Sequence, residues 1–201
     1  EHFRNIIMST LETNLIQPAT GTALTVGASG DTITVPSGAT FNVAGTLQSG
    51  GAAVVNTPAF EAYLSSRQTI STATDTKVQF DTERFDTAGE YDNSTNYRFT
   101  PTISGKYFVY SNLGLGAGDN DALGIANIYI YLNGALYFEG RNDNSNNSQN
   151  QKFVSITSTL VMNGTSDYIE IYGRVNTSSG TPYFEGGSTD GSNFGAYKII
   201  E

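Results

Sequence analysis

Apolar and polar residues alternate along most of this chain, in two different styles. Between residues 22 and 47 the runs are short. TALTVGASG, DTITVPSGA and TFNVAGTL follow one another, so that Leu24/Val26, Ile33/Val35 and Phe41/Val43 recur every eight or nine residues. Gly30, Gly38 and Gly45 separate the units. Period-two alternation broken by glycine predicts short strands and turns. A strand of about five residues cannot bury its apolar edge alone. The repeat is therefore expected to pair with copies of itself from other chains, as an oligomeric stalk over residues 18–57.

From residue 58 onward the runs lengthen. In TKVQFD, Val78 and Phe80 share a face. In GKYFVYSN, Phe108 and Tyr110 oppose Tyr107 and Val109. In GIANIYIYLNG, Ala126, Ile128, Ile130 and Leu132 form one face, with Asn127, Tyr129 and Tyr131 on the other. Val154, Ile156, Leu160 and Met162 align in the next run, and Ile169 and Ile171 oppose Tyr168, Glu170 and Tyr172 after it. Asn133-Gly134 and Asn163-Gly164 follow two of these strands as hairpin signals. Many short strands between Gly/Asn turns predict an all-β sandwich or barrel.

Residues 1–17 are different. Phe3, Ile7 and Leu11 have helical spacing, and Leu15 extends it. An apolar peptide ahead of a stalk reads either as a frayed leader or as an anchor onto a larger particle. Its order is not the basic-then-apolar order of a signal peptide.

Composition narrows the function. Cysteine is absent, which removes disulfides and thiolate chemistry. The net charge of −9 disfavours a phosphate backbone or an anionic membrane surface as partner. No apolar run is long enough to span a bilayer. Between Glu12 and Glu61 the only charged side chain is Asp31, a composition that favours self-association. The single histidine is His2, so a Ser-His-Asp triad cannot form beyond residue 58 and no enzyme is expected.

Residues 97–110, YRFTPTISGKYFVY, resemble the signature block of the C1q/tumour-necrosis-factor-like head, in which a Phe leads over five residues to Gly-x-Tyr. Phe99, Gly105 and Tyr107 match it, and Tyr91 lies one place beyond the family's upstream aromatic. PAFEAYLSSRQTI, with Phe60 and Tyr63, is similar to the family's opening strand, TKVQFDTERFDT to its second strand and loop, and NFGAYKII, with Phe194 and Gly195, to its closing strand. The resemblance implies a ten-strand jelly roll over residues 58–201 that assembles as a trimer. The stalk wording, ITVPSGATFNVAGTL, looks like that of tail-fibre proteins from marine phages.

Candidate sites follow. Asp119, Asp121 and Asp143 could offer oxygens to calcium, the one cofactor in question; the alternative is that they sit on solvated loops. The polar stretch Asn142, Asp143, Asn144, Asn146, Asn147 and Gln149 reads either as a receptor-binding loop or as a solvated loop without a ligand. Tyr183 and Phe184 read either as stacking partners for a sugar or as core. Tyr129, Tyr131, Tyr168 and Tyr172, opposite the Ile/Leu face, are expected at a trimer seam. The expected protein is a homotrimeric bacteriophage virion fibre. Its N-terminus would hold a tail or capsid protein and its head a host-surface glycan or protein. A capsid-decorating head fibre and a secreted bacterial trimeric adhesin are the alternatives.

Overall fold

The computed structural model describes residues 22, 26, 27, 29–49, 52, 53, 56–120, 122–143, 149–189 and 191–200. Phe3, Ile7 and Leu11, expected to form an anchor, lie outside the described residues, as do Leu24, Asp121, Asn144, Asn146 and Asn147. The chain divides into two units, Glu1–Thr46 and Leu47–Glu201.

In the first unit the glycine punctuation is real. Gly30 and Gly38 take φ of +93° and +84° in turns, which glycine adopts without steric cost. The expected strands are not there. None of the described residues 26–46 is in a strand. Val26, Ile33, Val35, Phe41 and Val43 are 37–68% exposed. A single copy of so short a repeat has nothing to pair with, so the alternation remains a pattern without a sheet.

The second unit is all β among the described residues. It opens with a two-stranded ladder, β1 (Gln48–Ser49) and β2 (Ala52–Ala53). Then come β3 (Ala59–Tyr63), β4 (Gln68–Thr69), β5 (Thr76–Lys77), β6 (Thr82–Asp86), β7 (Tyr91–Asp92) and β8 (Arg98–Phe99). The long strands follow: β9 (Gly105–Gly116), β10 (Leu123–Leu132), β11 (Ala135–Asp143), β12 (Gln151–Met162) and β13 (Ile169–Thr177). The short β14 (Tyr183–Phe184) and β15 (Asn193–Lys198) close the fold.

Two antiparallel sheets face each other. One runs β11-β10-β13-β8-β7, with β5 also on β13. The other runs β4-β14-β9-β15-β3-β6, with β12 along the far edge of β9. The sheets hold six and seven strands, not ten in all. The difference lies in residues 59–99, where tight turns cut the chain into pieces of two to five residues. Val78 and Phe80, expected in a strand, lie just past β5, yet both are fully buried.

The alternation assigns the inward face correctly along the long strands. Tyr107, Val109, Ala126, Ile128, Ile130, Ile156, Leu160, Met162, Ile169 and Ile171 all lie in the core. Asn133 and Gly134 both take positive φ and turn β10 into β11, as a tight hairpin requires. Asn163-Gly164 does something else. It carries the chain from β12 in one sheet to β13 in the other, so the same dipeptide serves a crossover.

Five aromatic residues that carried the family resemblance, Phe60, Tyr91, Phe99, Tyr107 and Phe194, form one cluster across the sandwich. Phe60 stacks on Tyr91 and on Phe99, each at 4.6 Å, and meets the edge of Phe194 at 4.9 Å. Phe99 meets Tyr107 at 5.8 Å. Phe60, Phe194 and Tyr107 belong to the seven-stranded sheet, Tyr91 and Phe99 to the six-stranded one. The two phenols are anchored: Tyr91 donates to the Phe80 carbonyl (3.0 Å) and Tyr107 to the Ile103 carbonyl (2.6 Å). Phe60→Ala should cost about 3–5 kcal/mol in urea unfolding, whereas Ser71→Ala, on the surface, should stay within about 0.5 kcal/mol. Equal losses for the two would show that the cluster is not the centre of the fold.

Candidate binding surfaces

Pairing of β10 with β13 sets Tyr129 opposite Tyr172, Tyr131 opposite Glu170 and Asn127 opposite Arg174, all on the outer face of the six-stranded sheet. Tyr131 and Tyr172 stack at 4.2 Å, and Tyr129 meets the edge of Tyr131 at 6.4 Å. Lys77 donates to Glu170 at 2.5 Å and to the Asn96 carbonyl at 3.2 Å, with its ammonium 5.9 Å from the Tyr172 ring centre. Arg174 pairs with Asp75, and Asn127 donates to the Tyr129 hydroxyl and to Glu139. Arg98 lies 4.3 Å over Tyr168. Burial is the main cause that pushes the phenols of Tyr129, Tyr131 and Tyr172 up.

The four tyrosines of the expected seam are thus brought to one sheet, but each finds partners within its own chain. Tyr129 is only 5% exposed in the single chain. Alternation shows which residues share a face. It does not show which elements will cover that face.

The outer face of the seven-stranded sheet is less self-sufficient. Phe108 and Tyr110 on β9, Tyr197 on β15 and Phe85 on β6 point outward, with Phe153 and Val161 on β12. Phe108 packs on Tyr197 at 5.4 Å and on Tyr110 at 6.3 Å. The Tyr110 ring lies flat across Gly195, its directly paired neighbour, where a Cβ would meet the ring at 2.4 Å. Its hydroxyl donates to Glu61 (2.7 Å), which also binds Arg84 (2.8 Å). Phe85, Phe153, Val161 and Tyr197 remain well exposed.

A second apolar surface lies on β11, the free edge of the other sheet. Leu136, Tyr137 and Phe138 are 53%, 46% and 48% exposed. The Tyr137 hydroxyl reaches the Thr159 carbonyl of β12. Sequence reasoning missed this strand as a surface. The available signal was ALYF, apolar on both faces of a strand, which a half-buried strand does not need.

The polar candidates are scattered. Asp143 is exposed at the end of β11, while Asp119 lies in the turn after β9. Among the described residues no three His, Cys, Asp or Glu side chains are grouped to hold a metal ion. Asn142 accepts from Lys152 (2.8 Å), and the Gln149 carbonyl accepts from the Leu123 amide (3.0 Å). Phe184 is core, and the Tyr183 ring is capped by Arg67 at 3.8 Å, so neither offers a free face to a sugar.

The β7–β8 turn builds a feature that the sequence did not announce. Asp92 accepts from the amides of Ser94, Thr95 and Asn96 and from the Asn96 side chain. Asp86 likewise accepts from the amides of Ala88, Gly89 and Tyr91. Between these two capped turns opens a cavity of about 360 Å³, with Gly89–Asp92 on one side and Asn96, Arg98, Thr100 and Thr102 on the other.

No protein-family model matches the chain. No curated protein matches it. Solved structures do. The globular domain of the zebrafish complement 1qA protein superposes with a TM-score of 0.52 at 14% identity, over 71% of this chain and 96% of that one. Eiger TNF from S. frugiperda gives 0.48 at 10% identity, over 71% and 92%. Murine APRIL at pH 5.0 gives 0.47 at 12%, over 70% and 98%. The first of these likenesses establishes a C1q-like jelly-roll fold for the head.

The Asp92 turn has a pH signature. The Thr95 amide, foremost among its donors, holds the carboxyl well below the ordinary 3.8. A folded-state pKa below the unfolded one adds stability that is complete above 3.8 and is lost as pH falls through the folded value. Asp92→Asn should therefore lower the urea midpoint at pH 7, and the gap to wild type should shrink under acid. A gap that stays constant with pH would assign the loss to geometry and not to charge.

Proposed function

We propose that this chain is the protomer of a homotrimeric, non-catalytic fibre protein of a bacteriophage particle, with the C1q-like head as its host-recognition end. The observation that carries the trimer is the pair of separate apolar surfaces on one chain: the Phe108/Tyr110/Tyr197 face and the Leu136/Phe138 edge. A patch that cannot meet a copy of itself makes a head-to-tail contact, and such contacts end either in a closed ring or in a filament. Edge against face, repeated three times, closes the ring and covers both surfaces. Aromatic residues dominate both, as in the buried centre of stable interfaces. The same threefold arrangement would let the exposed stalk residues Ile33, Val35, Phe41 and Val43 cover one another, which a lone chain cannot do. The wording of that stalk supports a phage fibre, and residues 1–17 would then dock on a tail or capsid protein.

Assembly and recognition can be tested separately. Wild type should sediment as three copies at micromolar concentration. Phe138→Asp on the edge and Phe108→Asp on the face should each bury an unpaired charge, at several kcal/mol, and give folded monomers. Tyr131→Ser, on the self-contained tyrosine face, should remain trimeric. Trimers of wild-type thermal stability from both Asp variants would overturn this interface.

For recognition, labelled trimer should adsorb to susceptible bacteria and the Phe138→Asp monomer should not. Three weak contacts gain from effective concentration, and one does not. Failure of the trimer to adsorb to any host that the particle infects would remove the recognition role and leave a structural fibre.

A further inference from the structure

We propose that the cavity beside β7 is a subsite for one neutral pyranose ring of a surface glycan. This rests on reading the head as a recognition module and gives that module a site away from the 142–149 loop. The chemistry of the walls selects the ligand class. Glu90 accepts the Thr102 amide at 2.9 Å and the Thr102 hydroxyl through Oε1, while its Oε2 has no hydrogen-bond partner. An unpartnered carboxylate oxygen below the surface calls for a donor. Facing the same cavity, Arg98 is held over Tyr168, and among the described residues no carboxylate pairs with it. Its N–H groups call for acceptors.

A cation is disfavoured by Arg98, and an anion by Glu90 and Asp92. A flat aromatic ligand finds no ring to stack on, because the Tyr91 ring is turned into the core. A hydroxyl is the group that donates and accepts at once, and adjacent ring hydroxyls can serve Glu90 and Arg98 together. Oε2 itself is buried, so a ligand hydroxyl reaches it only when the partly exposed Glu90 side chain turns. The volume stands at the low end of the ligand-pocket range of about 300–1,000 Å³, which suits one ring and not a chain. The walls are fixed beforehand by the Asp86 and Asp92 turns and by the Thr100 amide on the Glu90 carbonyl (2.9 Å), so little order remains to be imposed on binding. None of the lining residues belongs to the edge or the face assigned to the trimer, so the site stays open after assembly.

The test is saturation-transfer NMR on the full-length protein with the methyl pyranosides of glucose, galactose, mannose and N-acetylglucosamine, at concentrations up to about 20 mM, since a few hydrogen bonds imply a Kd on the order of 1 mM. At least one sugar should receive transfer. Glu90→Gln and Arg98→Lys should each weaken it roughly tenfold, the loss of one charge-assisted bond, with thermal unfolding unchanged. Thr100→Val serves as a second route should either variant unfold. No transfer to any of the four sugars would overturn the subsite, as would transfer that survives all three substitutions. Cell adsorption of the Glu90→Gln trimer separates the two levels: adsorption unchanged by the variant sinks the subsite alone, whereas wild type that binds no cells sinks the recognition reading with it.

Discussion

Everything else in the head depends on the aromatic contact between its two sheets. Phe60, Phe194 and Tyr107 come from one sheet, Tyr91 and Phe99 from the other, and their rings interlock at 4.6–5.9 Å. Aromatic pairs of this kind add to the area that they bury. The cluster lies where the strands are shortest, between β3 and the β7–β8 hairpin. Strands of two residues have almost no ladder to hold them. There the rings do what hydrogen-bonded length does in β9, β10, β12 and β13. Two tyrosines in the cluster also spend their hydroxyls on carbonyls of nearby loops, so the core fixes the loops as well as the sheets.

With the inner faces occupied, the outer faces are free to diverge. On the six-stranded sheet the outward residues satisfy one another through stacked tyrosines, the Lys77–Glu170 pair and the Arg174–Asp75 pair. A partly buried ion pair of this sort is weak evidence for stability, because desolvation offsets much of the attraction. Its effect is to hold charged groups beside the tyrosines of β10 and β13, so that the exposed apolar residues of this sheet collect on β11. On the seven-stranded sheet Tyr110, Glu61 and Arg84 satisfy one another in the same way, but Phe85, Phe153, Val161 and Tyr197 still face solvent. The exposed apolar surface of the head thus lies on the outer face of the seven-stranded sheet and on the β11 edge of the other, and the cavity lies apart from both at the β7 edge.

Much of this was legible in the sequence, for a physical reason. A strand alternates its side chains with period two whatever surrounds it, so Ile128/Ile130, Leu160/Met162 and Ile169/Ile171 declared their inward face from composition alone. Asn133-Gly134 declared its hairpin because few other pairs tolerate two positive φ angles. Phe60, Phe99, Tyr107 and Phe194 could be picked out by their resemblance to a known head, and they turned out to be one cluster.

The remainder depends on neighbours far apart in the chain. Tyr129 and Tyr131 are expected from the sequence at a trimer seam; only the fold shows that Asp75, Lys77 and Arg174 arrive beside that face from β5, its approach and β13. The alternation sets Phe108 and Tyr110 opposite Tyr107 and Val109, and only the positions of β15, β6 and β12 show that they lie beside the exposed Phe85, Phe153, Val161 and Tyr197. The described residues of the 22–47 repeat show its turns but no strands, because a β ladder needs a second strand that one copy cannot supply. Glu90 and Arg98 carry no motif. They meet because the β7–β8 turn brings residues eight apart to one cavity. The sequence by itself determined which side of each long strand is apolar and where the chain turns, since both are local properties of the backbone. The tertiary structure alone decided which faces are covered and which polar groups are left without partners, since both depend on what the fold brings alongside.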